Sequence, residues 1–246
     1  MITKRTTDFS NLDFQSGEAL LVDKPAGWSS FKVVHKIRKA AGVRKVGHAG
    51  TLDPLATGLL ILCTGKKTKE IEKYQAFEKT YTGIILLGKS SPSMDLETET
   101  TRELPVEGIS EEDIFRARNL FIGKIMQLPP MYSAVKYKGK SLYKLARKGK
   151  TVERELREVT VSKFEITKIA LPEIHFEIVC SKGTYIRVIA NDLGDKLGCG
   201  GVLSSLRRTR IGDYSVENAL NVTEFVENLS VFKKNTEEVC LPIQHE

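Results

Sequence analysis

One carboxylate in the sequence stands in a setting that suits chemistry. Asp53 lies in GHAGTLDPLATGLL (residues 47–60), among glycines and close to His48, and Pro54 follows it directly. The pair also has a structural interpretation, because Asp is a good helix N-cap and Pro is favoured at the first helical position. On that interpretation Asp53-Pro54 opens one turn that Gly58 closes, and the Asp does no chemistry. These residues alone leave both interpretations open.

A second candidate breaks a local rule. Arg187 lies in KGTYIRVIANDLGDKLG, in the first turn of a helix that we predict to begin near Thr184. Helix N-termini favour acids, because their free N–H groups carry partial positive charge. A nearby anion, either a carboxylate or a phosphate, would offset the misplacement. The alternative is an arginine that points to solvent, and the sequence favours neither.

Several familiar kinds of site are excluded by their motifs. TGKKT at residues 64–68 fails the P-loop pattern, and no GxGxxG or GxSxG occurs. The four histidines form no HExxH motif, and the four cysteines form no CxxC pair, so we expect buried free thiols rather than a metal site. By elimination, chemistry here depends on a carboxylate, with no metal and no cofactor.

Basic residues are segregated along the chain, which carries a formal net charge of +7. Three runs contain no acid: residues 32–45, residues 136–150 with Tyr137 and Tyr143 interleaved, and RRTR at 207–210. Segregation of this kind indicates a surface that binds a polyanion and slightly favours nucleic acid over a merely solvated basic face.

No apolar run is long enough for a signal peptide or a membrane span, so we expect a cytoplasmic protein. The 246 residues suffice for one large domain or for a domain plus an appendage. Periodicity and caps predict strands and helices in mixed order, which indicates an α+β fold with a mixed, largely antiparallel central sheet flanked by helices and loops. The predicted helices are 30–41 after Ser29 or Ser30, 66–77, 110–123 after the Ser110 capping signal, and 184–197; the predicted strands are 18–23, 58–65, 79–89, two between 159 and 180, and 200–216.

Five motifs carry a resemblance to a known family. In chain order they are LLVDKPAGWSS, GHAGTLDPLATGLL, KTYTGIILLGKSSPSMDLET, LPPMYSAVKYKGKSLYKLAR and CSKGTYIRVIANDLGDKLGCGG. Together they run from about residue 17 to about 214 and resemble the bacterial TruB family of tRNA pseudouridine synthases. The resemblance implies the pseudouridine synthase fold. It also implies that the T-loop uridine at position 55 of tRNA is isomerised by base flipping, without cofactor or metal.

The resemblance also implies roles for the candidate residues. Asp53 falls on the catalytic aspartate, which attacks C6 of the base or C1′ of the sugar, and the sequence does not choose between these routes. Tyr81 falls on the tyrosine that stacks on the target base. Arg187 falls on the arginine that pairs with the aspartate, which would supply the missing anion.

Four further residues are implied to bind substrate. His48 takes up the stacking that the flipped nucleotide vacates, and Leu206 packs against the base. Lys24, in a KPxG motif, mainly supports the active-site loop, and Tyr185 does likewise.

The resemblance further implies a thumb-like RNA-binding insertion at about 126–151 within a single catalytic domain that spans 1–246. The segment from about 215 to 246 is too short and too acidic for a complete PUA domain, which predicts greater reliance on the thumb and on the helix at 30–41. We expect a monomer whose partner is tRNA. Two alternatives stay open: a guide-RNA-dependent synthase subunit, and a tRNA-folding chaperone that needs no chemistry.

Overall fold

The computed structural model describes residues 1–239, apart from the side chains at 102 and 235–239. Cys240 therefore lies outside the described residues. The α-helices are α1 (Ser30–Ala41), α2 (Ile71–Ala76), α3 (Glu111–Asn119), α4 (Leu142–Ala146), α5 (Ile186–Lys196) and α6 (Val222–Val239); short 3-10 helices cover Gly65–Glu70 and Val216–Asn218. Within residues 1–239, no helix has both the length and the apolar character needed to cross a membrane.

Fourteen strands accompany these helices in the described part of the chain. They are β1 (Ala19–Lys24), β2 (Val46–His48), β3 (Thr57–Thr64), β4 (Lys79–Leu87), β5 (Lys89–Ser90), β6 (Arg102–Glu103), β7 (Gly123–Gln127), β8 (Lys136–Tyr137), β9 (Lys140–Ser141), β10 (Arg157–Ala170), β11 (Glu173–Cys180), β12 (Gly201–Ile211), β13 (Tyr214–Ser215) and β14 (Leu220–Asn221).

The chain divides into two compact units. The first contains Met1–Gln75 and the segment from Asp213 onward. In it β1 pairs with β3 antiparallel and with β14 parallel, and β2 pairs with β3. α1 and α6 contribute to its apolar core, where the Phe9 and Phe225 rings meet edge to face at 5.8 Å. The strand predicted from GLLILCTG is β3, which is buried from Gly58 to its end, as expected for a strand covered on both faces.

The second unit is Ala76–Gly212. Its strands pair in the order β12-β4-β11-β10-β7, and each of these pairs is antiparallel. With one parallel pair in the first unit, the pairing is mixed and mostly antiparallel, and helices flank the strands. The predicted α+β class is therefore confirmed, whereas the prediction of a single domain stays a prediction.

Local capping signals correctly predicted two helices. Ser29 caps α1 by accepting a hydrogen bond from the Lys32 N–H, and Gly42 ends it at φ +72°. Ser110 and Asp113 form a reciprocal capping box at the start of α3.

Three details differ from expectation. The helix predicted at 66–77 begins as a 3-10 helix, because Gly65 enters it at φ +49° and the Thr68 hydroxyl donates to the Gly65 carbonyl at 2.8 Å. Residues 90–109, for which the sequence predicts no helix or strand, contain most of the β5–β6 pair. α5 begins at Ile186 rather than near Thr184, since the Thr184 hydroxyl donates to the Ser181 carbonyl and Tyr185 is extended.

Candidate active site

Asp53 lies in a tight turn in the first unit. The Ala56 N–H donates to the Asp53 carbonyl at 3.1 Å, so that the chain reverses before β3 begins at Thr57. The turn interpretation was therefore right about Asp53-Pro54 but wrong about its end, because Gly58 already belongs to β3. The residue is not a helix cap, and its side chain is half-buried. Gly50 at φ +105° and Gly58 at φ +103° flank this turn in a conformation that favours glycine.

The Lys24 ammonium group is tied to the same turn. Lys24 ends β1 and is 0% exposed. Its Nζ donates to the carbonyls of Trp28 at 2.5 Å, Pro25 at 3.0 Å and Pro54 at 3.2 Å. A buried ammonium group is tolerated only with such partners. Lys24 thus joins the segment 25–28 to the carbonyl directly after Asp53.

A buried serine fixes the residue on the other side of Asp53. The Ser30 hydroxyl donates to the Leu52 carbonyl at 3.0 Å and accepts from the Leu52 N–H at 2.9 Å. One side chain at the start of α1 therefore satisfies both backbone groups of Leu52. Sequence reasoning missed this clamp, although the signal was present: two serines stand together where α1 begins, and only Ser29 is needed as its cap.

His48 is the last residue of β2, opposite Leu62 of β3. Beyond it the Ala49 N–H still donates to the Ile61 carbonyl, at 2.9 Å. The His48 side chain is half-buried. The strand pairing therefore fixes the start of the segment that leads to Asp53.

Tyr81 lies in the second unit, on β4 between two neighbouring strands. It is opposite Ile178 of β11 and Arg208 of β12, and its side chain is buried. Two residues on, Gly83 is opposite Leu206, and a Cβ there would lie 2.4 Å from the Ser205 carbonyl oxygen. The glycine in KTYTG thus permits the close approach of β12 to the strand that carries Tyr81.

Arg187 is buried in the first turn of α5, with 2% of its surface exposed. Its guanidinium group donates to the carbonyls of Ser93 and Tyr132 and lies 5.9 Å from the Tyr185 ring centroid. The alternative of an arginine pointing to solvent was therefore wrong. Five donors in one plane allow such a group to hold several acceptors at once.

The start of α5 is held by Gln127, a residue that sequence reasoning did not single out. Tyr185 occupies the N-cap position without a side-chain cap. Instead the buried Gln127 amide accepts from the Tyr185 N–H at 2.9 Å and donates to the Tyr185 carbonyl at 3.2 Å. This reciprocal pair fixes the backbone two residues before Arg187. Its sequence signal was weak: a single glutamine, Gln127, directly before Leu-Pro-Pro.

The Ser93 carbonyl, which accepts a hydrogen bond from Arg187, belongs to a loop that side-chain hydrogen bonds hold in place. The Ser93 hydroxyl lies 2.8 Å from the Thr98 hydroxyl and donates to the Asp95 carbonyl at 3.2 Å. The Ser91 hydroxyl donates to the same carbonyl at 2.6 Å. Residues 91–98 thus present a fixed acceptor to the guanidinium group.

The thumb segment, residues 126–151, contains the β8–β9 hairpin and α4. The Tyr143 hydroxyl on α4 donates to the Glu97 carboxylate at 2.6 Å, and the Tyr143 and Tyr132 rings meet edge to face at 6.0 Å. The hydrogen bond to Glu97 raises the pKa of Tyr143. The segment's exposed basic side chains are Lys136, Lys138, Lys140, Lys144, Arg147, Lys148 and Lys150.

The three cysteines in the described residues are buried free thiols, as expected. Burial raises the pKa of Cys63 to about 11 and that of Cys180 to about 12. Neither thiol is a ready nucleophile at neutral pH.

Comparison with known proteins defines the class to which this fold and site belong. The model of the TruB family pseudouridylate synthase N-terminal domain matches residues 38–186, and that of the tRNA pseudouridylate synthase B C-terminal domain matches residues 187–244. The chain also resembles solved structures. It matches a chain of a Cbf5–Nop10–Gar1 complex with a TM-score of 0.69 and 28% identity, over 91% of this chain and 57% of that one. The class is that of the pseudouridylate synthases.

Curated relatives narrow the class to one family. Three proteins named tRNA pseudouridine synthase B are 50% identical over 224 residues (Flavobacterium johnsoniae), 51% over 218 (Chloroherpeton thalassium) and 47% over 234 (Phocaeicola vulgatus). These matches cover 88%, 87% and 93% of this chain and 98%, 90% and 99% of the relatives. The chain belongs to the TruB family of pseudouridylate synthases.

Proposed function

We propose that this protein isomerises the T-loop uridine at position 55 of tRNA to pseudouridine. The observation that carries the proposal is the identity of about one half with curated tRNA pseudouridine synthases B over nearly their whole length. The acid-free basic runs suit a polyanionic substrate.

The proposed reaction begins with the Asp53 carboxylate as nucleophile. It attacks the flipped uridine at C6 of the base or at C1′ of the ribose, and the glycosidic C1′–N1 bond breaks. The base then rotates, C5 bonds to C1′, the bond to Asp53 breaks, and the proton on C5 leaves. N1, freed from C1′, gains a proton as C5 loses one, so uridine and pseudouridine have the same composition and the reaction is an isomerisation. Clamps on both neighbours of Asp53, at Leu52 and Pro54, support this role, since a nucleophile must be held in one place.

Arg187 and Tyr81 are proposed to complete the site. A guanidinium group beside Asp53 keeps the carboxylate ionised and fixes its direction. The rigid seating of Arg187 on backbone carbonyls supports this assignment. The Tyr81 ring stacks on the target base, and its hydroxyl assists loss of the C5 proton.

Capture of the RNA is assigned to the remaining candidates. His48 replaces the stacking lost on base flipping, which costs a few kcal/mol, and Leu206 packs on the base. Lys24 and Tyr185 position the catalytic residues, in line with their backbone contacts. The thumb segment closes over the RNA, so removal of residues 136–150 is expected to weaken tRNA binding. Unchanged affinity would contradict that role.

The test is to incubate the protein with an unmodified tRNA transcript, without guide RNA, nucleotide or added metal, and to map pseudouridine chemically. We expect product at position 55 alone. Product elsewhere, or a requirement for a guide RNA or an EDTA-sensitive metal, would contradict the proposal. Asp53→Asn is expected to bind tRNA but form no pseudouridine. If the wild type forms no pseudouridine but helps tRNA to fold, and Asp53→Asn retains that effect in full, the protein is a chaperone instead.

The proposal also implies a monomer that acts in the cytoplasm on tRNA. Sedimentation of the free protein at micromolar concentration is expected to give a mass near the 27.5 kDa of one chain. A stable dimer would contradict this expectation.

A further inference from the structure

One face of α1 is exposed and carries no acid. The apolar face of the helix, which includes Val33, Val34 and Ile37, is buried in the core of the first unit. The opposite face consists of exposed side chains, which we call the α1 face: Phe31, Lys32, His35, Lys36 and Lys39.

Phe31 is the unusual member of this face. It is 69% exposed, the highest value among the large apolar side chains that the structure describes. An aromatic ring left in water beside three lysines adds nothing to the core. An exposed ring with basic neighbours is, however, the arrangement that binds a base by stacking while the cations contact phosphates.

The α1 face begins next to the candidate nucleophile. Phe31 follows Ser30, whose hydroxyl holds both backbone groups of Leu52, and Leu52 precedes Asp53. One residue after Phe31, the Lys32 ammonium group lies 4.3 Å from the ring centroid of Trp28. The Trp28 carbonyl in turn accepts from Lys24. The start of the α1 face is therefore fixed to the same framework as the Asp53 turn.

We propose that the α1 face is an RNA-docking surface, on which Phe31 stacks on an exposed base of the tRNA and Lys36 and Lys39 contact phosphates. This inference rests on the proposed function and specifies residues that contact the substrate. RNA suits the face better than a protein partner does, because lysine is depleted from protein interfaces whereas a phosphate backbone requires cations. The exposed residues of α1 span about 12 Å, at 1.5 Å per residue, enough for two or three nucleotides of backbone.

The test measures the Kd of an unmodified tRNA transcript by fluorescence anisotropy over a range of salt concentrations. Phe31→Ala is expected to raise Kd roughly fivefold or more, since base stacking on an aromatic ring contributes at least about that factor. Phe31→Tyr keeps the ring and should stay close to the wild type. Lys36→Gln and Lys39→Gln should each lower the slope of log K against log salt by about 1.

Lys168→Gln is the matched control. It removes the same charge from an exposed position on β10, and it should leave the slope unchanged. All variants should melt at the wild-type temperature, because every changed side chain is exposed. The inference is overturned if Phe31→Ala binds within twofold of the wild type, if Lys36→Gln behaves as Lys168→Gln does, or if Phe31→Ala instead abolishes a self-association.

The inference and the proposed function fail in different ways. If the wild type forms no pseudouridine but Phe31→Ala weakens its binding of tRNA, the proposed function is wrong and the docking surface is supported. If the wild type forms pseudouridine at position 55 and Phe31→Ala has the same KM for tRNA, the proposed function is supported and the docking surface is wrong.

Discussion

The Asp53 turn and the thumb segment differ in how they are held. Buried groups fix the turn on both sides: the Lys24 ammonium group at Pro54 and the Ser30 hydroxyl at Leu52. The thumb segment is built from two two-residue strands and one five-residue helix, and its basic side chains are exposed. Buried groups hold the start of the segment, where Gln127 pairs with Tyr185 and the Tyr132 carbonyl accepts from Arg187. Farther along, a partly buried hydrogen bond from Tyr143 to Glu97 joins α4 to residues 91–98.

The difference matches the tasks proposed for the two regions. A nucleophile works best when its position is set before the substrate arrives, because no reorganisation is then needed during reaction. An RNA-binding thumb must instead release one set of contacts and form another as it closes. Substitutions in the turn should therefore lower the rate of reaction, and substitutions in the thumb should weaken binding.

The largest effect is expected for Lys24→Met. The change removes the donor from three carbonyls in a buried site, so it should lower the free energy of unfolding by about 2–4 kcal/mol. It should also lower the single-turnover rate by more than tenfold at saturating tRNA. Urea unfolding and quenched-flow product assays measure both. Lys4→Met, at an exposed position, is the control, and equal behaviour of the two variants would contradict a buried tether.

Ser30→Ala and Ser29→Ala form a matched pair. Both remove one hydroxyl and should cost about 1–2 kcal/mol of stability, the first through Leu52 and the second through the cap of α1. Of the two, only Ser30→Ala should slow the chemical step, because Ser30 holds Leu52 next to Asp53 and Ser29 caps α1 instead. Equal single-turnover rates in the two variants would show that this clamp does not position the nucleophile.

Tyr143→Phe should act on binding instead. Loss of the hydrogen bond to Glu97 frees α4 at a cost in stability below about 1 kcal/mol, since the bond is only partly buried. Limited proteolysis should then cut residues 126–151 faster. Because binding weakens, KM for tRNA should rise, while the rate at saturating tRNA stays within twofold of the wild type. Glu97→Gln keeps an acceptor and should be milder. A fall in the saturated rate without a change in KM would reverse the assignment of the two regions.

The smallest effect concerns alkaline pH. The hydrogen bond to Glu97 raises the pKa of Tyr143 in the folded protein above its usual value near 10. Its contribution is therefore fully present below pH 10 and is lost as the pH rises through the raised pKa. The stability difference between wild type and Tyr143→Phe should stay constant up to about pH 10 and shrink above it in urea unfolding. A difference independent of pH would mean that the hydroxyl does not bond a carboxylate.

Local sequence signals predicted individual helices well, but they did not predict the long-range hydrogen bonds that position the site residues. Ser29, Gly42 and Ser110 act within one helical turn, so the sequence predicts α1 and α3 closely. The Gln127 pair with Tyr185 spans 58 residues, and the Ser30 clamp spans 22. Such contacts depend on strand pairing that no local pattern specifies.

Asp53 and Arg187 illustrate the same limit. Neighbouring residues predicted a turn at Asp53 but placed its end two residues late. Helix rules identified Arg187 as anomalous, yet its burial and its carbonyl partners follow from the loops around Ser93 and Tyr132. Its pairing with Asp53 stays a prediction. The roles of both residues came from the family resemblance rather than from spacing.

The central claim is that Asp53 carries out the isomerisation at position 55 of tRNA. Formation of the C5–C1′ bond releases the C5 hydrogen, so tritium release from a transcript labelled with [5-³H]uridine reports the reaction directly. We predict stoichiometric release from position 55 with the wild type, and none with Asp53→Asn at a protein concentration that binds all the tRNA. Release by Asp53→Asn at the wild-type rate, or bound tRNA without release by the wild type, would contradict the claim.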